Sequence, residues 1–450
     1  MSRPGARAVA AGLALAAVAS AAGAAPSPGR LDPTFGGDGL VVRRLTGGFD
    51  VGRGVVALAD GSVVVAADSG GKQRPFHGPD AVLFKLQRNG TPDPGFGQRG
   101  VLRVSVGKGD DGVSGVARLA DGSLIVAGAA GNLNADQYAN DVAVFAFKAR
   151  PNGRLDPRFG RAGIATLRVP TQVFVEPVAG VAAGLDGSVV VAATTYEKRL
   201  TLVRFDPRGR VDPGFGTRGV AAHNVRYPSA MTRMPDGRLV VVGMTDREDR
   251  EWREWFVLRL RPNGSRDPSF GDGDGLVETR WSGSPESALA VAIDARGRTV
   301  VAGKEGTSDT NCTTLCNRLR LARYLPDGRL DRSFGRGGRV EPQIGLGYDR
   351  LALALDARRG IVVAGTSYAS GIDDQQLSVW RFDGAGRLDR SYGANGMLAA
   401  NPTSGRLDLD YLTAVALAPG GAVVAAGAAA KPTTGFDSRY LHDVAVLRAR

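Results

Sequence analysis

The chain has 450 residues, of which 43% are apolar, 23% charged and 6% aromatic, with 64 glycines and 24 prolines. So much Gly and Pro excludes a helical bundle, since inside a helix Gly costs about 1 kcal/mol and Pro about 3 kcal/mol; the apolar fraction excludes a disordered chain. The formal charge of +12 comes from 57 Lys and Arg against 45 Asp and Glu, and the basic residues are scattered along the chain, which reads as a compositional habit; no specific nucleic acid is expected as a partner.

Residues 1–24 read as a secretory leader. Arg3 and Arg7 form a basic start, residues 8–21 (AVAAGLALAAVASA) an apolar stretch, and Ala22-Gly23-Ala24 a small-x-small cleavage site. The apolar stretch is too short and alanine-rich for a membrane anchor, and no second run of spanning length follows. The mature chain is therefore expected to be soluble and secreted or periplasmic, with no transmembrane segment.

The mature chain opens on a signature, GRLDPTFGGDGL from Gly29, and then shows four strand signals in order. The first is the alternating run Leu40-Val41-Val42-Arg43. The second is Gly54-Val55-Val56-Ala57-Leu58, which an Asp60-Gly61 turn joins to Ser62-Val63-Val64-Val65-Ala66; Asp-Gly between such runs signals a hairpin. The fourth is Ala81-Val82-Leu83-Phe84-Lys85-Leu86, and Asn89-Gly90 then turns into the next signature. The pattern recurs seven times, with the signature aspartate at Asp32, Asp93, Asp156, Asp212, Asp267, Asp331 and Asp389, a period near sixty. Four strands per unit, seven times, predicts an all-β, seven-bladed β-propeller of four-stranded blades. The chain starts with an outer-strand pattern and ends on Asp443-Val444-Ala445-Val446-Leu447-Arg448, the strand that precedes a signature in every other unit. Pairing of the N- and C-terminal strands is thus expected to close the ring, making residues 25–450 a single propeller domain and a monomer.

The LDPxFG signature at this period resembles the delta-60 repeat family of bacterial proteins, over essentially the whole mature chain. The resemblance implies a propeller-like fold; members of the family largely lack an assigned activity. Departures are modest: Pro92 and Arg266 replace the Leu, Arg332 and Arg390 replace the Pro, and Tyr392 replaces the Phe.

Seven copies of one segment fit a repeated structural joint better than a repeated ligand site. The aspartate can accept backbone N–H groups two residues on, and proline fixes φ for the turn. Phe35, Phe96, Phe159, Phe215, Phe270, Phe334 and Tyr392 are expected as apolar plugs between blades. The stretch Asp272-Gly273-Asp274-Gly275 is too short in spaced oxygen ligands for a calcium loop. Cys312 and Cys316, close together in an oxidising compartment, are expected to form a disulfide that pins a local loop. Metal ligands and a cofactor are not expected.

The Gly-Val-Val-Ala-Leu run and its equivalents are taken as the innermost strands, nearly free of Asp, Glu and His, which argues against a metal- or quinone-dependent enzyme in the channel. The connections after the second strand and before the innermost strand vary and emerge on one face; loops on rigid scaffolds carry function. That face holds the candidate ligand-binding residues: Phe76 and His77, Tyr138, Trp252 and Trp255, Tyr368, Tyr440 and His442, with Trp281 in the other loop set. Exposed aromatics beside Asp, Asn and Arg suit recognition of a protein or polysaccharide of the cell envelope. No catalytic residue is assigned, since neither G-x-S-x-G nor H-E-x-x-H occurs; the alternative is an extracytoplasmic hydrolase with a site over the channel mouth, for which ring neighbours His77 and His442 are the residues to watch.

Overall fold

A computed structural model describes residues 29–46, 48–70, 80–107, 110–133, 139–169, 180–194, 199–245, 253–281, 286–306, 317–347, 350–356, 360–368, 374–402, 408–430 and 441–450. Among these the regular elements are all strands, in seven antiparallel sheets built outward from an innermost strand. Blade one runs Asp50–Ala57, Val63–Ser69, Asp80–Leu86 and Val101–Val104. The other innermost strands are Asp110–Arg118, Ala182–Ala183, Pro228–Arg233, Glu286–Ile293, Ala352–Asp356 and Tyr411–Leu417. Each packs against the next, and the last against the first, so the sheets form a closed seven-bladed ring. Blade six carries one addition, Asp408–Leu409, paired in parallel with its third strand.

The ring closes as the repeat pattern predicts. The outer strand of blade seven is Leu40–Arg43, from the start of the chain, paired with His442–Ala449 in the register Leu40↔Leu447 to Arg43↔Val444. Five of the innermost strands also contain a bulge, at Arg53, Ser114, Ser229, Leu289 and Thr413, an extra residue that bends the strand and re-aims its side chains.

The signature is the joint between blades. In all seven copies the aspartate accepts the N–H two residues on, at 2.9 to 3.4 Å, and the aromatic ring is buried. The third partner was not anticipated: a cation eight residues before the aspartate on the third strand. Arg259 shows the arrangement most fully. Its Nε is 2.8 Å from Asp267 Oδ2, its guanidinium lies 4.5 Å from the centre of the Phe270 ring, and Nη1 donates to the Pro326 carbonyl of the next blade. Arg323 repeats it with Asp331, Phe334 and the Gly384 carbonyl. Arg448 does so across the closing seam, with Asp32, Phe35 and the Arg88 carbonyl. Arg204 and Arg381 likewise pair with Asp212 and Asp389 over Phe215 and Tyr392. Lys85 takes the place with Asp93, whereas Lys148 pairs with Asp121 instead of Asp156.

A backbone bond completes the joint. The glycine after the aromatic donates its N–H to the next blade's turn, as Gly36 does to the Asn89 carbonyl at 2.9 Å and Gly97 to that of Asn152 at 2.8 Å. The chains approach so closely that a Cβ on Gly90, at φ +85°, would stand 2.6 Å from the Gly36 nitrogen. Both the positive φ and the missing space demand glycine there.

These contacts set acid sensitivity. Burial works to raise the Asp32, Asp267 and Asp331 carboxyls, but hydroxyl and N–H donors from Thr34, Ser269 and Ser333, with the Arg448, Arg259 and Arg323 charges, outweigh it and hold each at about 2. A depressed carboxyl contributes stability that is present above its unfolded value, near 4, and lost as the pH falls through its folded value. The melting temperature is therefore expected to hold between pH 7 and about 4 and to fall steeply toward about 2; a scan that stays flat to pH 2 contradicts the joint as described. Phe96→Ala is expected to cost about 3–5 kcal/mol in urea denaturation. Arg259→Ala, which strands Asp267 without its partner, should cost about the same.

Candidate functional site

The channel down the ring axis narrows to a cavity of about 190 Å³ walled by small and aliphatic residues, among them Gly54, Val55, Gly115, Val116, Val181, Met231, Val291, Leu353 and Val415. Arg53, at the bulge of blade one, is the charged residue of this wall. Its Nε is 2.7 Å from Asp68 Oδ2, and Asp68 Oδ1 accepts the Val113 N–H of blade two at 2.7 Å. The Arg53 charge is thus matched within the wall and ties two blades together.

The channel-lining runs carry no Asp, Glu or His, in line with their sequence; the innermost strands, however, begin before those runs, and acids stand there. Asp50, Asp111 and Glu286 lie at or next to the start of such strands, and Asp410 just before another, all buried. They sit at equivalent places around the ring, yet they do not line the channel cavity. Their oxygens turn back into the connection from the preceding blade or onto the neighbouring strand. Asp50 accepts the N–H groups of Leu45 and Thr46 at 3.0 and 2.9 Å and the Ser69 hydroxyl at 2.7 Å. Asp111 accepts the N–H groups of Val106 and Gly107 at 2.6 and 3.1 Å, Glu286 that of Trp281 at 2.9 Å, and Asp410 that of Ala430 at 2.8 Å. Asp50 and Asp111, each holding two backbone N–H groups, are structural caps, and Glu286 and Asp410 each anchor one.

Of the aromatic and histidine residues expected on the variable face, Phe76, His77, Tyr138, Trp252 and Tyr440 lie outside the described residues, as do Cys312 and Cys316. Two others are not exposed. Trp255, the first residue of the third strand in blade four, is fully buried; its Nε1 donates to the Lys304 carbonyl of blade five at 3.4 Å, and its ring centre is 5.0 Å from that of Trp281. His442 opens the third strand of blade seven and is buried between Phe49 and Tyr411, each ring 5.6 Å away edge-on. Both sit where a strand begins, so their side chains turn into the space between blades.

Trp281 is half-buried in the same inter-blade space, with the Arg339 and Arg320 guanidinium groups 5.3 and 5.9 Å from its ring. Tyr368, at the end of the second strand of blade six, is half-buried at the rim of the variable face. His223 is distant from them: it lies on the outer strand of blade three and donates from Nε2 to the Gly264 carbonyl at 3.0 Å, and burial lowers its pKa below the usual imidazole value. The Asp272–Gly275 stretch is a signature turn in which Asp274 accepts the Leu276 N–H, and the described residues contain no group of three or more potential metal ligands.

With that geometry in view, the comparisons locate the fold. The sequence model of a family described as a beta-propeller domain of unknown function (DUF5122) matches residues 235–270 and 317–334. No curated protein matches. Among similar solved structures is a catalytically inactive virginiamycin B lyase from Staphylococcus aureus, 11% identical, covering 91% of this chain and 98% of its own at a TM-score of 0.47. A polysaccharide lyase of family PL25, an ulvan lyase, is 12% identical over 91% and 96% at 0.47. An α-L-arabinanase from Penicillium chrysogenum is 11% identical over 89% and 93% at 0.42.

Trp255→Ala opens a large cavity between blades four and five. It is expected to lower stability by about 3–5 kcal/mol in urea, seen as a lower midpoint at unchanged slope. An unchanged midpoint would return Trp255 to the exposed face.

Proposed function

We propose that this protein is an extracytoplasmic binding module of the delta-60 repeat kind, a single propeller domain over residues 25–450 released from a leader at residues 1–24. Its variable-loop face takes a protein or polysaccharide of the cell envelope. The observation that carries this reading is the inequality of the two faces. On one, the inner hairpin turns and signatures have nearly constant length and are hydrogen-bonded into the ring. On the other, connections of different length leave the same strand ends, such as residues 70–79, 195–198 and 307–316 between the second and third strands of blades one, three and five. On the same face, connections that enter the innermost strands are held by the buried carboxylates Asp50, Asp111 and Glu286. Such a scaffold offers a rigid platform with interchangeable contacts, as recognition through loops requires.

Purified residues 25–450, incubated with envelope extract at low and high salt, should retain a specific component at high salt. The Tyr138→Ala/Trp252→Ala/Tyr368→Ala variant should lose it. Material lost by salt alone reduces the interaction to charge attraction. Equal retention by the variant, or none by either protein, overturns the reading and turns attention to hydrolase activity over the channel mouth.

A further inference from the structure

The signature face carries charge that its joints do not use. In blades two and three, Arg154, Arg158 and Arg161 lie on one signature segment, Arg208 and Arg210 on the turn of the next blade, and Arg218 on that blade's signature. All six are exposed. The Gly160 N–H donates to the Arg208 carbonyl at 2.7 Å, which locks the two arginine-bearing segments side by side.

Two of the nearby carboxylates are paired outside the arc, and a third bonds the turn backbone without forming an ion pair. Asp156 pairs with Arg150 and Asp212 with Arg204, while Asp206 accepts the backbone N–H groups of Arg208 and Arg210. No ion pair among the described residues holds any of the six guanidinium groups. The contrast with blades five and six is specific. Arg329 and Arg387 occupy the turn position of Arg154 and Arg210, yet each is paired, with Asp327 and Asp383. Asn152 stands where Asp327 stands, which removes one counter-charge from the arc.

We propose that this arc is a second interaction surface, and that it holds a linear polysaccharide bearing carboxylate groups. Guanidinium forks match planar carboxylates in two-point hydrogen bonds, and a row of them on a rigid backbone engages successive acidic sugars along one chain. Stacking platforms for nucleic-acid bases are missing from the arc, because Phe159 and Phe215 are buried in the joints. This surface lies on the face opposite the variable loops, so it stands or falls separately from the envelope-binding reading.

Binding of the purified protein to polygalacturonate, followed at about 50 mM and about 500 mM salt, tests the proposal. Arg154→Glu/Arg158→Glu/Arg208→Glu is expected to weaken binding at low salt by about tenfold or more. Arg296→Glu/Arg332→Glu/Arg390→Glu, the same change in net charge on blades five and six, should weaken it less than about threefold. The three arc arginines replaced by Gln should show the same order with a smaller loss, which keeps the test decisive if the Glu variant melts abnormally. The Tyr138→Ala/Trp252→Ala/Tyr368→Ala variant should bind polygalacturonate as the parent does. Equal losses from the two charge-reversed variants, or no binding by the parent, overturn the arc; tighter binding of duplex DNA than of polygalacturonate overturns the choice of partner.

Discussion

The ring is fastened at most of its joints by one recurring contact: in five blades a third-strand arginine is held by a signature carboxylate and a signature aromatic ring, and in four of these also by a carbonyl of the next blade. A buried ion pair alone is a weak stabiliser, because desolvation can exceed the Coulombic gain. Here the remaining donors are also matched. Arg259 gives Nε to Asp267, Nη2 to the Ser269 hydroxyl and Nη1 to Pro326, with Phe270 beneath the guanidinium plane. The charge is thereby surrounded by acceptors and a π face, which offset part of the cost of burying it, although burial still holds the Arg259 pKa below its usual value. For Arg204, Arg259, Arg323 and Arg448 one partner is on the neighbouring blade, so the contact there enforces spacing and angle between sheets as well as packing.

The same contact closes the circle. Arg448 reaches Asp32 across 416 residues of sequence, and the outer strand of blade seven has only four residues pairing with its neighbour. These strand pairs and the joint, with backbone bonds from Gly29 to Arg450, Asp32 to Arg448 and Arg450 to Arg30, lock what every other blade secures within a continuous chain. With its partners 416 residues apart, this contact is the most non-local of the joints.

Period, strand order and closure were legible because each rests on local chemistry: Asp-Gly and Asn-Gly turns, alternating aliphatic runs, and a recurring aspartate–proline corner. The arginine of the joint was also present in the repeat, always eight residues before the aspartate, at 204, 259, 323 and 381. It was masked by the abundance of arginine everywhere else. Trp255 and His442 were misread for another reason. An aromatic or imidazole beside polar loop residues looks the same in sequence whether it points to solvent or into an inter-blade gap; a difference of one strand position decides it. The buried caps were hidden likewise, since Asp50 and a solvated loop aspartate have the same local neighbours, and only the fold brings Leu45, Thr46 and Ser69 round to its oxygens.

The joint also explains how a face with a nearly invariant backbone can carry distinctive chemistry. Signature positions that face the next blade are constrained: the aspartate, the aromatic, the glycine after it and the turn glycine have no alternative without loss of a contact or a clash. The position directly before the aromatic is less constrained: a serine there joins the hydrogen bonds of the joint, as Ser333 does with Asp331 and Arg323, yet Arg158 and Gly214 also stand there with the joint aspartate and buried ring kept. Substitutions there leave blade spacing intact while changing surface charge. On blades five and six the turn arginines form ion pairs with neighbouring aspartates; on blades two and three no ion pair among the described residues holds them. A repeat whose structural demands fall on a few residues thus leaves the rest of the face free to differ from blade to blade. That is the condition under which a repeated scaffold acquires a surface confined to one arc.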